Sequence, residues 1–233
     1  FGMGWRILFP LYMSVGIVAT LLLYATEIKE GAETEEKAEK PLGVAAQFAN
    51  ALRLLGNPAV LLCFLAIVCH VGMDVGISIT APKVLMERLG ITLETAGFAT
   101  SLYFIARTAG CLAGGFVMVR MKEWTFLLAS IVLMLVALSM LFLGAEQWVL
   151  YASIVLLGLA NSNPFSIIMA RALQAVPDKK NEASGLMIMG LFGGTVFPLL
   201  MGAASDSFGQ TGAIAVLALG AFYLLFFWRM NKA

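Results

Sequence analysis

Seven apolar stretches, at residues 5–25, 58–86, 95–119, 124–144, 147–175, 183–205 and 210–230, dominate this 233-residue chain and leave it few ways to fold. A helix needs roughly 20 such residues to cross a hydrocarbon layer about 30 Å thick. Inside that layer the backbone must satisfy its own hydrogen bonds, which a helix does within one segment. The expected fold class is therefore all-α, a polytopic transmembrane helix bundle with seven spans. Composition agrees, since 61% of residues are apolar and 12% charged, whereas a soluble domain has about half and about a quarter. A net charge of +1 points to no nucleic-acid partner. The first stretch is too long for the apolar part of a signal peptide and lacks a basic start before a small-residue cleavage site, so it reads as a true span. Cys63, Cys69 and Cys111 are odd in number and lie in apolar runs, which fits small packing residues better than a disulfide framework.

Three regions follow: a first helix in residues 1–25, a charged linker in 26–57, and a six-helix bundle in 58–233. The linker carries six glutamates (Glu27, Glu30, Glu33, Glu35, Glu36 and Glu39) and three lysines before Pro41, the pattern of a solvated connection. Its second half differs. Val44, Phe48, Leu52 and Leu55 recur at helical spacing and predict an amphipathic helix lying along the membrane surface.

Basic residues set the orientation. Eleven (Lys29, Lys37, Lys40, Arg53, Arg120, Lys122, Arg171, Lys179, Lys180, Arg229 and Lys232) fall on the side of the linker, and three (Arg6, Lys83 and Arg88) on the other. By the positive-inside rule the linker and the C-terminus are cytoplasmic. One helix, a long cytoplasmic linker and six more helices match the last helix of one transporter half followed by all of a second, with substrate bound near midplane where the halves meet. The chain starts at Phe1, which adds to the expectation of a missing N-terminal half.

Ionisable groups within the spans mark the candidate site. His70 and Asp74 lie 12 and 16 residues into the second stretch, roughly 18 and 24 Å along a helix rising ~1.5 Å per residue. Arg107 lies at a similar depth in the third. A charge at bilayer centre costs roughly 2.5–3.5 kcal/mol on the mildest scale, and such groups commonly line a substrate or proton path. Asn161 and Asn163 flank Ser162 in the middle of the fifth stretch, next to Pro164. Proline removes a backbone donor and frees a carbonyl, so the helix is expected to break there, with amides available either to a ligand or to neighbouring helices. Pro82 and Pro198 are read as kinks or gating hinges. Two readings of the cluster compete: Asp74 and Arg107 neutralise each other and His70 is a core residue, or the same groups hold a hydroxylated substrate or respond to a proton. Tyr103, one turn from Arg107, and Phe165, after Pro164, add flat rings that suit the C–H faces of a sugar. The candidate substrate-binding set is His70, Asp74, Tyr103, Arg107, Asn161 and Asn163. No metal site and no cofactor is expected.

The run GLANSNPFSIIMARALQAVPDKKNEASGLMIMGLFGGTVFPLLMGAASDSFG, residues 158–209, resembles the tenth and eleventh helices of the fucose/proton symporter family of the major facilitator superfamily, which includes bacterial glucose and galactose transporters. The Ser162–Pro164 kink, Ser184-Gly185, Gly193-Gly194, Pro198, Gly202 and Ser205-Asp206 carry the likeness. SLYFIARTAGCLAGGFVMVRM, residues 101–121, is similar to the family's Gly-Arg eighth helix. Ala106 replaces the glycine before that arginine, and His70 and Asp74 stand where relatives more often have an aromatic residue and Glu. The resemblance implies the sixth to twelfth helices of a major facilitator fold in a bacterial inner membrane. It also implies a hexose or deoxyhexose substrate, coupling to a proton or cation, and alternating access. The family's principal proton-coupling carboxylates belong to the first half.

An efflux carrier for amphiphilic compounds is the nearest alternative, although fewer midplane charges and a wider aromatic lining are typical there. A seven-helix receptor is the alternative from another class. No lysine occurs in 183–205 or 210–230, which excludes a retinal Schiff base on the last helix. A membrane enzyme finds no support, because the chain has one His and neither a nucleophile elbow nor a phosphate loop.

Overall fold

The structure, a computed structural model, describes residues 8–26 and 44–231. It divides into two units, Phe1–Gly43 and Val44–Ala233. In the first, α1 spans Leu8–Ala25. Its hydroxyls bond back onto the helix, Ser14 Oγ to the Leu11 carbonyl at 2.7 Å and Thr20 Oγ1 to the Gly16 carbonyl at 2.9 Å. That satisfies the serine and threonine hydroxyls within a helix otherwise fit for lipid. The expected charged linker lies mostly outside the described residues.

The second unit opens with α2, Val44–Arg53, and a 3₁₀ turn at Leu54–Gly56. The predicted helix is there, but the bundle takes a different face of it. Ala51 and Leu54 are buried, while Phe48 and Leu52 stay exposed. The bundle proper comprises α3 (Pro58–Leu89), α4 (Leu93–Ala96), α5 (Phe98–Met118), α6 (Glu123–Leu143), α7 (Gln147–Ala160), α8 (Pro164–Ala175), α9 (Lys180–Met189) and α10 (Gly193–Asn231). There is no strand among the described residues.

Local chemistry explains the boundaries. Asn57 caps α3 by accepting the Ala59 N–H at 3.0 Å, Pro58 sits where its missing N–H costs nothing, and Gly90 closes the helix at φ 64°. Among the described residues, five helices are long and apolar enough to cross a membrane, and a shorter apolar one runs over Phe9–Ala25. The last of the five, Pro177–Asn231, has 55 residues, about 80 Å at ~1.5 Å per residue and far more than one crossing requires. Its backbone breaks at Gly209, with φ 62° and ψ −163°, values essentially reserved for glycine. The spans expected at 183–205 and 210–230 are the two arms of this break.

The long helix α3 holds the bundle together, packing against α10, α8 and α5. Its fully buried Cys63, Ile67, Met73, Ile77 and Val84 recur every four to seven residues as one stripe. Lipid supplies no hydrophobic drive between helices, so close packing and hydrogen bonds carry the association. At the far end of α3, Arg88 donates to the carbonyls of Leu141 (2.6 Å), Gly144 (2.7 Å) and Phe142 (3.1 Å), the otherwise orphaned end of α6. Beside it, Glu87 Oε2 accepts the Gln210 N–H at 3.0 Å, just past the Gly209 break.

Candidate functional site

Asp74 sits midway along α3, and Tyr103 and Arg107, four residues apart on α5, share the face turned toward it. Arg107 Nη2 pairs with Asp74 Oδ2 at 3.0 Å. The Tyr103 hydroxyl donates to Asp74 Oδ1 at 2.5 Å. Asn161 Nδ2, at the end of α7, donates to the same Oδ1 at 3.0 Å and to the Tyr103 oxygen at 2.9 Å. Three helices therefore meet on one carboxylate. The side chains of Asp74 and Arg107 keep 16% and 31% of their accessibility, whereas Tyr103 and Asn161 have none. The pair compensates its own charge, which is what lets two ions persist in an apolar layer.

The α7–α8 connection explains how Asn161 reaches this point. The helix ends at Ala160, residues 161–163 leave helical geometry, and Pro164 starts α8. The break is stitched to α5. Asn163 Nδ2 donates to the Gly110 carbonyl at 2.9 Å and to Ser162 Oγ at 2.7 Å. Cys111 Sγ donates to the Ser162 carbonyl at 3.3 Å, and Ser162 Oγ to the Leu159 carbonyl at 2.7 Å. Two glycines make the approach tight enough: a Cβ on Gly158 would lie 2.5 Å from the Tyr103 carbonyl oxygen, and one on Gly114 would strike the Asn163 amide.

Of the six residues singled out in the sequence, Asp74, Tyr103, Arg107 and Asn161 form one network. Asn163 turns away from it and serves the kink, the helix-to-helix alternative left open above. His70 occupies the face of α3 expected of it but joins no hydrogen bond. It is 1% exposed, with its ring 6.4 Å from that of Phe165. Among the described residues, the buried side-chain nitrogens and oxygens without a hydrogen-bond partner are His70 Nδ1 and Nε2, Arg107 Nε and Asn161 Oδ1. Cys111 and Ser162 complete the environment, and sequence reasoning did not single them out as site residues. Their only sign was the small-residue pair Gly110 and Gly114 on the α5 face that meets the kink. Among the described residues no group of His, Cys, Asp and Glu is arranged to hold a metal ion.

The fold and this layer define a polytopic helical membrane protein with a compensated polar centre inside its bundle. Residues 62–233 match the family model of the Major Facilitator Superfamily, and the chain belongs to that superfamily of membrane transporters. No curated protein matches the sequence.

Proposed function

We propose that the chain is the C-terminal portion of a secondary transporter of a hexose or deoxyhexose, coupled to a proton or cation and working by alternating access with an N-terminal half. Asp74, Tyr103, Arg107 and Asn161 form the substrate-facing layer, and His70 borders it one turn away on α3. Asn163 acts indirectly, by holding the helix break that positions Asn161. In this reading the protein spans a bacterial inner membrane with the C-terminus in the cytoplasm.

One observation carries the reading. Among the described residues, the orphaned buried polar atoms belong to His70, Arg107 and Asn161, within or one turn from the Asp74 network. An unmet donor or acceptor in a low-dielectric layer costs about 1–3 kcal/mol, and a solute with several hydroxyls both donates and accepts, so it relieves several at once. Arg107 Nε offers a donor and Asn161 Oδ1 an acceptor, which together suit a hydroxyl. The sugar class itself comes from the resemblance of residues 158–209 and 101–121 to the fucose/proton symporter family.

The test is uptake of labelled hexoses and deoxyhexoses into proteoliposomes holding the full-length transporter, with and without an inward proton or sodium gradient. Gradient-stimulated, saturable uptake of one of these sugars is expected. Absence of uptake for every sugar under both gradients, by protein that remains folded, rejects the reading.

A further inference from the structure

We propose that the basic end of the bundle, where α6 begins and α8 and α10 finish, binds the headgroup of an anionic phospholipid. Arg171, near the end of α8, lies with its guanidinium carbon 5.7 Å from the centre of the Trp124 ring in the first turn of α6. The Trp228 indole N–H, near the end of α10, donates to the Trp124 carbonyl at 2.8 Å. Three helix ends thus meet at two tryptophans. Lys122 lies two residues before Trp124 and Arg229 directly follows Trp228, and both are exposed.

Among the described residues, Arg171, Lys122 and Arg229 form no ion pair with a carboxylate, although Glu123 follows Lys122 in sequence. Arg171 is half-buried and stacked, so its position is fixed while its donors make no hydrogen bond among the described residues. A guanidinium held in this way matches a phosphate diester with two parallel N–H···O contacts. The depth fits a lipid rather than a free anion. Arg171 stands four residues before the end of α8, roughly 6 Å at ~1.5 Å per residue, which is the level where tryptophans anchor spans among headgroups. Lys122 and Arg229 extend the positive field to the surrounding anionic surface, and the apolar outer sides of α6 and α10 receive the acyl chains. This inference is independent of what the transporter carries.

Native mass spectrometry and thermal melting test it on the intact transporter in detergent, with phosphatidylglycerol, phosphatidylcholine or inorganic phosphate added. Phosphatidylglycerol is expected to stay bound and to raise Tm, with phosphatidylcholine and phosphate alone doing neither. Arg171→Gln is expected to lose bound phosphatidylglycerol by about fivefold. The double variant Lys122→Gln/Arg229→Gln changes only exposed side chains, so it reports even if Arg171→Gln fails to fold, and it is expected to lose a similar share. Equal retention of both lipids, stabilisation by inorganic phosphate equal to that by phosphatidylglycerol, or a double variant that retains phosphatidylglycerol like the parent would each overturn the proposal.

Discussion

Arg107 and Asp74 meet at 3.0 Å across the contact between α5 and α3, and Asp74 spends its other oxygen on Tyr103 and Asn161. The carboxylate is thus the common acceptor for three side chains on two other helices.

Removing either charge leaves its partner uncompensated in an apolar layer. Asp74→Asn and Arg107→Gln are each expected to lower stability by about 2 kcal/mol or more, somewhat below the ~3–5 kcal/mol of a fully buried pair because both side chains keep some accessibility. Combining them is expected to recover part of the loss. Thermal melting in detergent checks this, and strictly additive losses would show that the pair does not interact.

Arg88 satisfies three carbonyls at the end of α6. Arg88→Gln is expected to destabilise the bundle by roughly 2–4 kcal/mol, since a hydrogen bond from a charged donor is worth about 1.5–3 kcal/mol and glutamine cannot replace all three. Arg88→Lys should restore only part. A melting temperature for Arg88→Gln equal to that of the parent would refute this role.

Gly209 occupies a backbone region that side chains avoid. Gly209→Ala is expected to cost about 1–3 kcal/mol. Gly115→Ala, where an added methyl meets nothing within 4 Å, should be neutral or stabilise by up to about 1 kcal/mol. Equal melting temperatures for the two variants would contradict the proposed turn geometry.

Gly114→Ala drives a methyl into the Asn163 amide and is expected to break the Asn163–Gly110 bond, loosening the α7–α8 break. The readout is the reactivity of Cys111, whose thiol bonds the Ser162 carbonyl in the same contact. Its labelling by a thiol reagent should rise several-fold in Gly114→Ala, and an unchanged rate would show that the contact does not constrain it.

The spans were legible because apolar length is a property of each segment by itself. Depth was legible too, since counting residues from a helix end placed Asp74 and Arg107 on one level. Direction around the axis was harder. Asn161 and Asn163 lie two residues apart in a non-helical turn, and only their backbone angles decide that one faces Asp74 and the other Gly110. His70 shares a face with Asp74, yet a shared face does not guarantee a hydrogen bond. A helix spans Val44–Arg53, where the spacing of Val44, Phe48, Leu52 and Leu55 predicts one; Phe48 and Leu52 are exposed, and the bundle is met by Ala51 and Leu54, residues that the apolar spacing does not mark. Arg88 escaped notice as a brace because its partners are backbone carbonyls, which no sequence pattern displays.

The central proposal, that the Asp74 layer faces the substrate, is tested most directly by the affinity of the transporter for a hexose or deoxyhexose. Tyr103→Phe keeps the ring and removes one hydroxyl from Asp74, and Asn161→Leu removes the amide while suiting the apolar surroundings. Both are expected to raise Kd by about tenfold or more, equivalent to ~1.4 kcal/mol. Asn163→Leu, at the kink but outside the network, is expected to change Kd much less. Unchanged Kd in Tyr103→Phe and Asn161→Leu, with both proteins folded, would contradict the account and return the cluster to a purely structural role.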